Sequence, residues 1–336
     1  MKPALALVQG DATGIGPELM ARLLADPKVG ETANAVLFSD RRVFQAGCAV
    51  AGVQLDLPEL GSLQELDLET HPLSLLHVPG PDPQTLTPGV VSEQAGKAVL
   101  ECYAQALDAC SAGVLDGLCF TPFNKQALHM AGMQTEDETQ WAKAHIGHTG
   151  RASEFNVIDG MWNARVTSHV PLKDVAGLLS VEEIVSAVVL ADQVLREGGF
   201  ERPRIAVAAL NPHAGDGGAI GREEIEIIAP AVARARERQI ACDGPFPSDT
   251  LYIKVRDGQY DCAVSMYHDQ GQIAIKLLGF HMGVSVHAGL PFPMATPAHG
   301  TAFDIVGRNV ANLEPTLRAF NLVATMAASR KRARHP

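Results

Sequence analysis

The sequence has no cysteine pair at CxxC spacing, no apolar run approaching the ~18 residues of a membrane span, and no excess of basic charge. Each shortage excludes something. The six cysteines (Cys48, Cys102, Cys110, Cys119, Cys242 and Cys262) are scattered, so no zinc knuckle is expected and buried free thiols in a reducing compartment are. Without a long apolar run there is no transmembrane helix. The opening MKPALALVQGD reaches Gly10 and Asp11 too soon for a signal peptide. Lys plus Arg total 27 against 38 Asp plus Glu, a formal net charge of -11, which argues against nucleic acid as a partner. The short RKRARHP end (330–336) is a local exception and is expected to be a solvated, frayed tail. Repeats, low-complexity tracts and Pro/Ser-rich linkers are also missing. A cytoplasmic globular protein is what remains.

What is present is length and alternation. At 336 residues the chain exceeds the ~250–300 at which single cores stop growing, so two lobes are expected. Hydrophobic residues at 46% and charged residues at 19% are ordinary globular usage. Short apolar runs read as strands at Ala4–Val8, Ala35–Phe38, Gly117–Phe120, Glu154–Ile158, Ala164–Val166, Ile205–Leu210 and Asp261–Ser265, with a turn at Gly160–Met161. Pro17 suits the first turn of a helix through Leu24; longer helices are expected over Ser92–Ala112, Val181–Arg196 and Glu314–Ser329. Strands alternating with helices predict an α/β architecture with a largely parallel sheet.

Polar loops follow these strands, where open α/β sheets place ligands. GDATGIGPE (10–18) has glycines that allow close backbone approach and leads into a helix N-terminus, but it lacks GxGxxG spacing and a P-loop lysine; alone it reads as a tight strand-to-helix turn. His169 in VTSHVPL, His213 in NPHAGDGG and His268 in MYHDQG each stand just after a strand. Singly, each is more often structural; together they suit a catalytic metal site, with Asp249 of PSDTLY or Asp269 completing or supporting it. Their separation along the chain is too great for spacing to show convergence. Lys276 in QIAIKLLGF either snorkels or meets a carboxylate or proton. PAHGTAFDIVG (297–307) reads either as a turn before a strand or as an adenine and ribose contact.

In order, GDATGIGPE, TPFNKQAL, VTSHVPL, NPHAGDGG, PSDTLY, MYHDQG, KLLGF, GLPF and HGTAFDIVG, spanning residues 10 to 307, resemble the 4-hydroxythreonine-4-phosphate dehydrogenase family. The resemblance implies a two-lobed fold like isocitrate and isopropylmalate dehydrogenases, with an active cleft between lobes: residues 1–130 plus 290–336 form a first lobe with nucleotide-binding segments, and 131–289 a second with metal-binding and dimerisation segments. It implies a homodimer with the metal site at the interface. Carried over by motif, His169, His213 and His268 bind a divalent metal, with zinc favoured and manganese, cobalt or magnesium also suited. Asp249 falls on the acidic residue near it, and Lys276 on a substrate-contacting lysine. Gly14, His299, Gly300, Thr301 and Asp304 fall on segments for NAD or NADP; Arg308 is the one hint of a 2′-phosphate reader.

The departures bear on substrate. The family's substrate-binding His-Thr pair falls on Glu138 and Thr139. The literal GHT at 147–149 stands too close to His169 to be that element, so His148 is set aside. The asparagine before GLPF falls on Ser285, and the arginine after it on Met294. In the family that arginine and the histidine help hold a substrate phosphate; methionine supplies no charged donor, and Glu138 would repel a dianion. The resemblance with these departures therefore implies oxidation with decarboxylation of a hydroxy acid that differs from 4-phosphohydroxythreonine, either one without a phosphate or one with an extra hydroxyl or amine for Glu138. A cis-dihydrodiol carboxylate of the terephthalate type is the alternative. A metal-dependent lyase without nicotinamide is a further one, which the intact HGTAFDIVG disfavours, and a binding protein that has lost turnover is disfavoured by the retained histidines.

Overall fold

The computed structural model describes residues 2–158, 160–279 and 282–334. The chain divides into two compact units, Met1–Ala152 with Leu290–Pro336, and Ser153–Gly289. The strands are β1 (Ala4–Val8), β2 (Asn34–Ser39), β3 (Glu59–Leu60), β4 (Leu73–His77), β5 (Gly117–Phe120), β6 (Ser153–Ile158), β7 (Met161–Arg165), β8 (Ile205–Ala208), β9 (Cys242–Phe246), β10 (Cys262–Ser265), β11 (Val284–Ala288) and β12 (Met294–Pro297). The helices are α1 (Gly16–Ala25), α2 (Pro27–Thr32), α3 (Arg41–Ala51), α4 (Glu93–Ser111), α5 (Lys125–Met130), α6 (Glu138–His145), α7 (Leu172–Leu178), α8 (Val181–Glu197), α9 (Ala229–Glu237), α10 (Ser248–Arg256), α11 (His268–Gly279) and α12 (Glu314–Arg334).

In the first unit six strands lie in the order β3-β4-β2-β1-β5-β12, every pair parallel. Parallel strands are covered on both faces, and β1 (ALALV) is buried at every position. Ser92 caps α4 through the Ala95 amide, and the helix feeds Val99, Tyr103, Ala106 and Leu107 into a core shared with Phe120, Phe123 and Met294. Residues 131–152, expected in the second lobe, pack here instead: α6 lies on α4, and Trp141 stacks on Tyr103 with ring centres 5.3 Å apart.

The basic C-terminal run is not a frayed tail over its described part. It continues α12 to Arg334, with Arg330 donating to the Leu290 carbonyl at 3.1 Å and Lys331 to Asp116 at 2.6 Å. Residues 335 and 336 lie outside the described residues. The stretch after His299 makes a 3-10 turn (Phe303–Ile305) and then joins α12, so no strand follows it.

In the second unit the order is β11-β6-β7-β10-β8-β9. The sheet is mixed rather than all parallel: β6 runs antiparallel to both β11 and β7, and the other pairs are parallel. Gly160 (φ +66°) stands in the β6–β7 connection, Met161 already belongs to β7, and Asp159 lies outside the described residues. Glu154 and Asn156 alternate on one face of β6 and meet Arg165 of β7, which is almost wholly buried: Arg165 donates to Glu154 at 3.0 Å and to Asn156 at 3.2 Å. Burial pushes the Glu154 carboxyl up, but Arg165 and His287, with hydrogen bonds from Ser285 and Asn156, outweigh it and hold the group at about 2.

That depression fixes a pH window. The folded value lies below the ordinary 4.5, so the stabilisation is complete above about 4.5 and fades as pH falls towards 2. At most about 3 kcal/mol is involved. Glu154→Gln should flatten the loss of stability between these limits, read as urea midpoints against pH. A slope as steep as wild type would mean that another carboxylate carries it.

Candidate active site

The strand order of the second unit brings the dispersed candidates to one edge. β7, β10, β8 and β9 are consecutive parallel neighbours, and their carboxyl ends lead to His169, His268, His213 and Asp249 respectively. This is the edge at which parallel sheets bind ligands. His169 and His268 have ring centres 5.5 Å apart. Two imidazoles bound to one ion at about 2 Å place their ring centres roughly 5 Å apart, so this pair already fits shared ligation. His268 Nδ1 lies 2.7 Å from Asp269 Oδ1. With the proton on Nδ1 facing the carboxylate, the Nε2 lone pair is left for a metal, the usual carboxylate–histidine arrangement.

His213 and Asp249 are exposed on their loops. Among the described residues of this unit, no three His, Cys, Asp or Glu side chains have ligand atoms all within 4.8 Å, so His169, His213 and His268 are not drawn together as a set. Its backbone is unusual. His213, Ala214 and Asp216 have φ of 53°, 54° and 44°, with Gly215 and Gly217 also left-handed. Each non-glycine residue there costs about 1–2 kcal/mol. The buried Glu224 holds the turn in place, accepting from the Leu210 and Asn211 amides at 2.9 and 2.7 Å. Strain retained under such anchoring marks functional loops.

Lys276 is exposed on α11, two turns beyond His268. The apolar string around it ends at Phe280, outside the described residues. Between them Gln272 is buried and donates to Asn156 at 2.8 Å. Ser285 is also buried, its hydroxyl donating to Glu154 at 2.7 Å.

In the first unit, β1, β5 and β12 are parallel neighbours whose carboxyl ends carry GDATGIGPE, TPFNK and HGTAFDIVG. The loops interlock. The Ile15 amide donates to the Thr301 carbonyl at 3.1 Å, and a Cβ on Gly14 would stand 2.8 Å from that of Thr301. Gly14 is thus required by Thr301 rather than left open for a ligand. Gly10 (φ +80°) brings its backbone against Thr121 and Pro122. His299 Nδ1 lies 3.1 Å from the Gly300 carbonyl, its Nε2 is buried without a partner, and burial lowers its pKa. A neutral imidazole with an orphaned acceptor fits a cofactor N–H or O–H. Gly300 and Asp304 are exposed, as is Arg308. A cavity of about 30 Å³ beside Gln9 and Asp40 has room for water only.

The two departures meet at one residue. Tyr103, buried, donates its hydroxyl to the Glu138 carbonyl at 3.1 Å and stands 3.3 Å from the Met294 sulfur. Met294 is fully buried in the core, so its side chain has no surface with which to touch a substrate. Thr139 is buried and Glu138 half-buried at the start of α6. His148 follows α6 in a loop rather than a strand end.

Sequence reasoning passed over Asp11, whose buried carboxylate accepts from Thr13 and whose pKa is raised by burial. It also passed over Gln270, Glu224, Tyr103 and the Glu154–Arg165 pair. Asp11 and Gln270 stand inside quoted motif strings; polar Glu154 and Asn156 at period two in an apolar strand were the signal for the pair.

The sequence pattern of the family described as pyridoxal phosphate biosynthetic protein PdxA matches residues 31–323. A Pseudomonas aeruginosa protein provisionally named 4-hydroxythreonine-4-phosphate dehydrogenase 2 is 48% identical, over 96% of this chain and 97% of its own. The D-threonate 4-phosphate dehydrogenase of Pectobacterium atrosepticum is 34% identical, over 97% and 100%. The crystal structure of 4-hydroxythreonine-4-phosphate dehydrogenase from Klebsiella pneumoniae superposes with a TM-score of 0.83 at 35% identity, covering 97% and 98%. That of a terephthalate 1,2-cis-dihydrodiol dehydrogenase from Burkholderia xenovorans does so at 0.69 and 27%, covering 96% and 98%.

Two outcomes follow from the geometry. His213→Ala should abolish both bound metal, by elemental analysis, and turnover; retained metal with full activity would remove His213 from the site. Met294→Arg should bury an unpaired cation and lower Tm by about 10 °C, several kcal/mol. An unchanged Tm would mean that the side chain at 294 reaches solvent or ligand.

Proposed function

This chain belongs to the family of the pyridoxal phosphate biosynthetic protein PdxA, with its isocitrate/isopropylmalate dehydrogenase-like fold, and from that premise we propose a divalent-metal-dependent, NAD(P)-linked dehydrogenase that oxidises and decarboxylates a hydroxy acid without a phosphate. Dehydrogenation of a CH–OH group is common to the family; the substrate, metal and cofactor are our reading. The observation that carries the substrate reading is the Tyr103 hydroxyl set between Glu138 and Met294. A carboxylate and a thioether occupy the two positions aligned with a phosphate-holding pair, with the Tyr103 hydroxyl joining the Glu138 backbone to the Met294 sulfur, and neither supplies the charge-assisted donor that a dianion needs.

His169, His213 and His268 would hold the metal, with Asp269 orienting His268. Zinc suits three imidazoles with an open position. A bound divalent ion lowers the pKa of the substrate hydroxyl and offsets enolate charge. Asp249 stands at the same edge as a proton acceptor. Lys276 holds the substrate carboxylate or passes a proton to the product. His299, Gly300, Thr301 and Asp304 form the dinucleotide segment, which would supply the hydride acceptor when loaded, with Gly14 packed behind Thr301; His299, its pKa lowered by burial, accepts a hydrogen bond there.

Exposed Ile273 and Leu277 on α11 and Leu172 beside His169 surround the metal edge with apolar surface, which supports a homodimer that covers it. Six buried free thiols, and no helix among the described residues long and apolar enough to cross a membrane, accord with the cytoplasmic reading. A cis-dihydrodiol carboxylate remains the second reading, favoured by the Burkholderia xenovorans relative, named for such a substrate.

The test is nicotinamide reduction, with zinc or manganese added, over hydroxy acids with and without a 4-phosphate and a cis-dihydrodiol carboxylate. Turnover confined to unphosphorylated members is expected, and Glu138→Gln should raise KM for the true substrate about tenfold or more. Turnover confined to 4-phosphohydroxythreonine would retain the enzyme class and reject the substrate argument.

A further inference from the structure

Ser285 has one hydroxyl proton, and it is committed. It points at Glu154 Oε1, 2.7 Å away. Asn156 is fixed in orientation by its neighbours. Its carbonyl oxygen accepts from Arg165 at 3.2 Å and from Gln272 at 2.8 Å, which turns its NH2 towards Glu154 at 3.1 Å and Ser285 at 3.5 Å. Arg165 lies beneath, almost wholly buried, and gives its second donor to the other Glu154 oxygen at 3.0 Å. The Ser285 proton, the Asn156 amide and two Arg165 donors therefore all point into the cluster. The carboxylate side chain keeps 23% of its surface accessible.

We propose that Glu154 is a specificity-determining residue: by taking the Ser285 proton it leaves an acceptor-only surface at Ser285, which selects a substrate carrying a hydroxyl or ammonium donor there and rejects a phosphate or carboxylate oxygen. The proposal rests on the reading of Ser285 as a substrate contact. The physics is an asymmetry of hydrogen bonding. A donor on the substrate meets lone pairs of Ser285 and an ionised carboxylate, a charge-assisted bond. An anionic acceptor meets the same lone pairs with no proton between, and the Arg165 charge that would offset it is already spent on Glu154. Burial drives the carboxyl up but Arg165 and His287 drive it further down, so the acceptor state holds throughout the neutral range. Gln272 adds register. It lies one helical turn from both His268 and Lys276 on α11, and through Asn156 it ties that helix to Ser285 on β11.

The experiment compares D-threonate, with a hydroxyl on C4, and D-threonate 4-phosphate as ligands of the metal-loaded protein with NAD, by calorimetry and by kcat and KM where turnover occurs. Wild type should favour the hydroxyl form by about tenfold or more. Glu154→Gln, whose amide can donate to Ser285 and free its proton, should reverse or erase that ratio through KM with kcat little changed. Because this variant leaves Arg165 without its carboxylate, Glu154→Gln with Arg165→Met is the companion that removes both charges, and it should show the same altered ratio with Tm restored. A wild type that favours the phosphate overturns the proposal, as does a Glu154→Gln or paired variant in which both ligands weaken alike. Ser285→Ala separates the two levels. If it changes neither ligand, the reading of Ser285 as a contact is what fails; if it moves both while Glu154→Gln leaves the ratio at wild type, only the role of Glu154 fails.

Discussion

Gln270 makes three hydrogen bonds from one amide, and the geometry of the second unit depends on them. Its carbonyl oxygen accepts from the Met266 amide at 2.6 Å, and its NH2 donates to the Ala209 carbonyl and the Ser248 hydroxyl, each at 2.7 Å. Ser248 donates in turn to the same Ala209 carbonyl at 3.1 Å. Those three points are where β10 leaves the sheet, where β8 leaves it, and where α10 begins. The chain departing from them carries His268, His213 and Asp249. A buried donor or acceptor left unmade costs about 1–3 kcal/mol, so any rearrangement separating these loops loses several such bonds at once. His268, His213 and Asp249 therefore depart from one hydrogen-bonded joint, although His213 and His268 stand 55 positions apart in sequence.

A second anchor, Glu224, explains how a strained turn persists beside this joint. Left-handed backbone at His213, Ala214 and Asp216 is held because Glu224 takes two backbone amides of the preceding residues and the Asn211 side chain as well. The energy opposing the strain is charge-assisted hydrogen bonding in a buried setting, the stronger kind. A rigid support beneath an exposed histidine keeps its side chain free to turn while its Cα stays fixed. That accords with the proposed role of His213 as a third ligand beside His169 and His268.

How much of this was legible in the sequence follows from which forces are local. β1 at Ala4–Val8 and β5 at Gly117–Phe120 are short apolar runs bounded by polar turns, and the structure places both strands there. α4 and α8 carry Ser caps and long apolar faces, and both were read to within a residue or so. The antiparallel placement of β6 was not legible, because a strand's partner is set by packing that periodicity does not encode. Nor was the fate of residues 131–152, which depends on Trp141 finding Tyr103. The basic end misled because charge suggested solvent, whereas Lys331 and Arg330 had partners in Asp116 and Leu290. At the site, the motifs supplied the histidines, but only strand order could show that their strands are neighbours.

Charge gives the two clusters that bear on the substrate proposal a common logic. In the first unit the position aligned with an arginine is a buried methionine beside a tyrosine, with Glu138 next to it. In the second, a buried arginine is present, but its charge is consumed by Glu154 and the surface offers only acceptors. Both clusters present a carboxylate where a phosphate would need a cation, in a chain whose net charge is already -11. Selection for a phosphate would oppose each of them by the loss of a charge-assisted pair, roughly 1.5–3 kcal/mol apiece. A substrate that offers hydroxyl or ammonium donors turns the same residues from a cost into a source of specificity, since a buried carboxylate left without its donor is itself penalised. In the proposed reaction Lys276, exposed on α11 two turns from His268, is the cation for the substrate's own carboxylate.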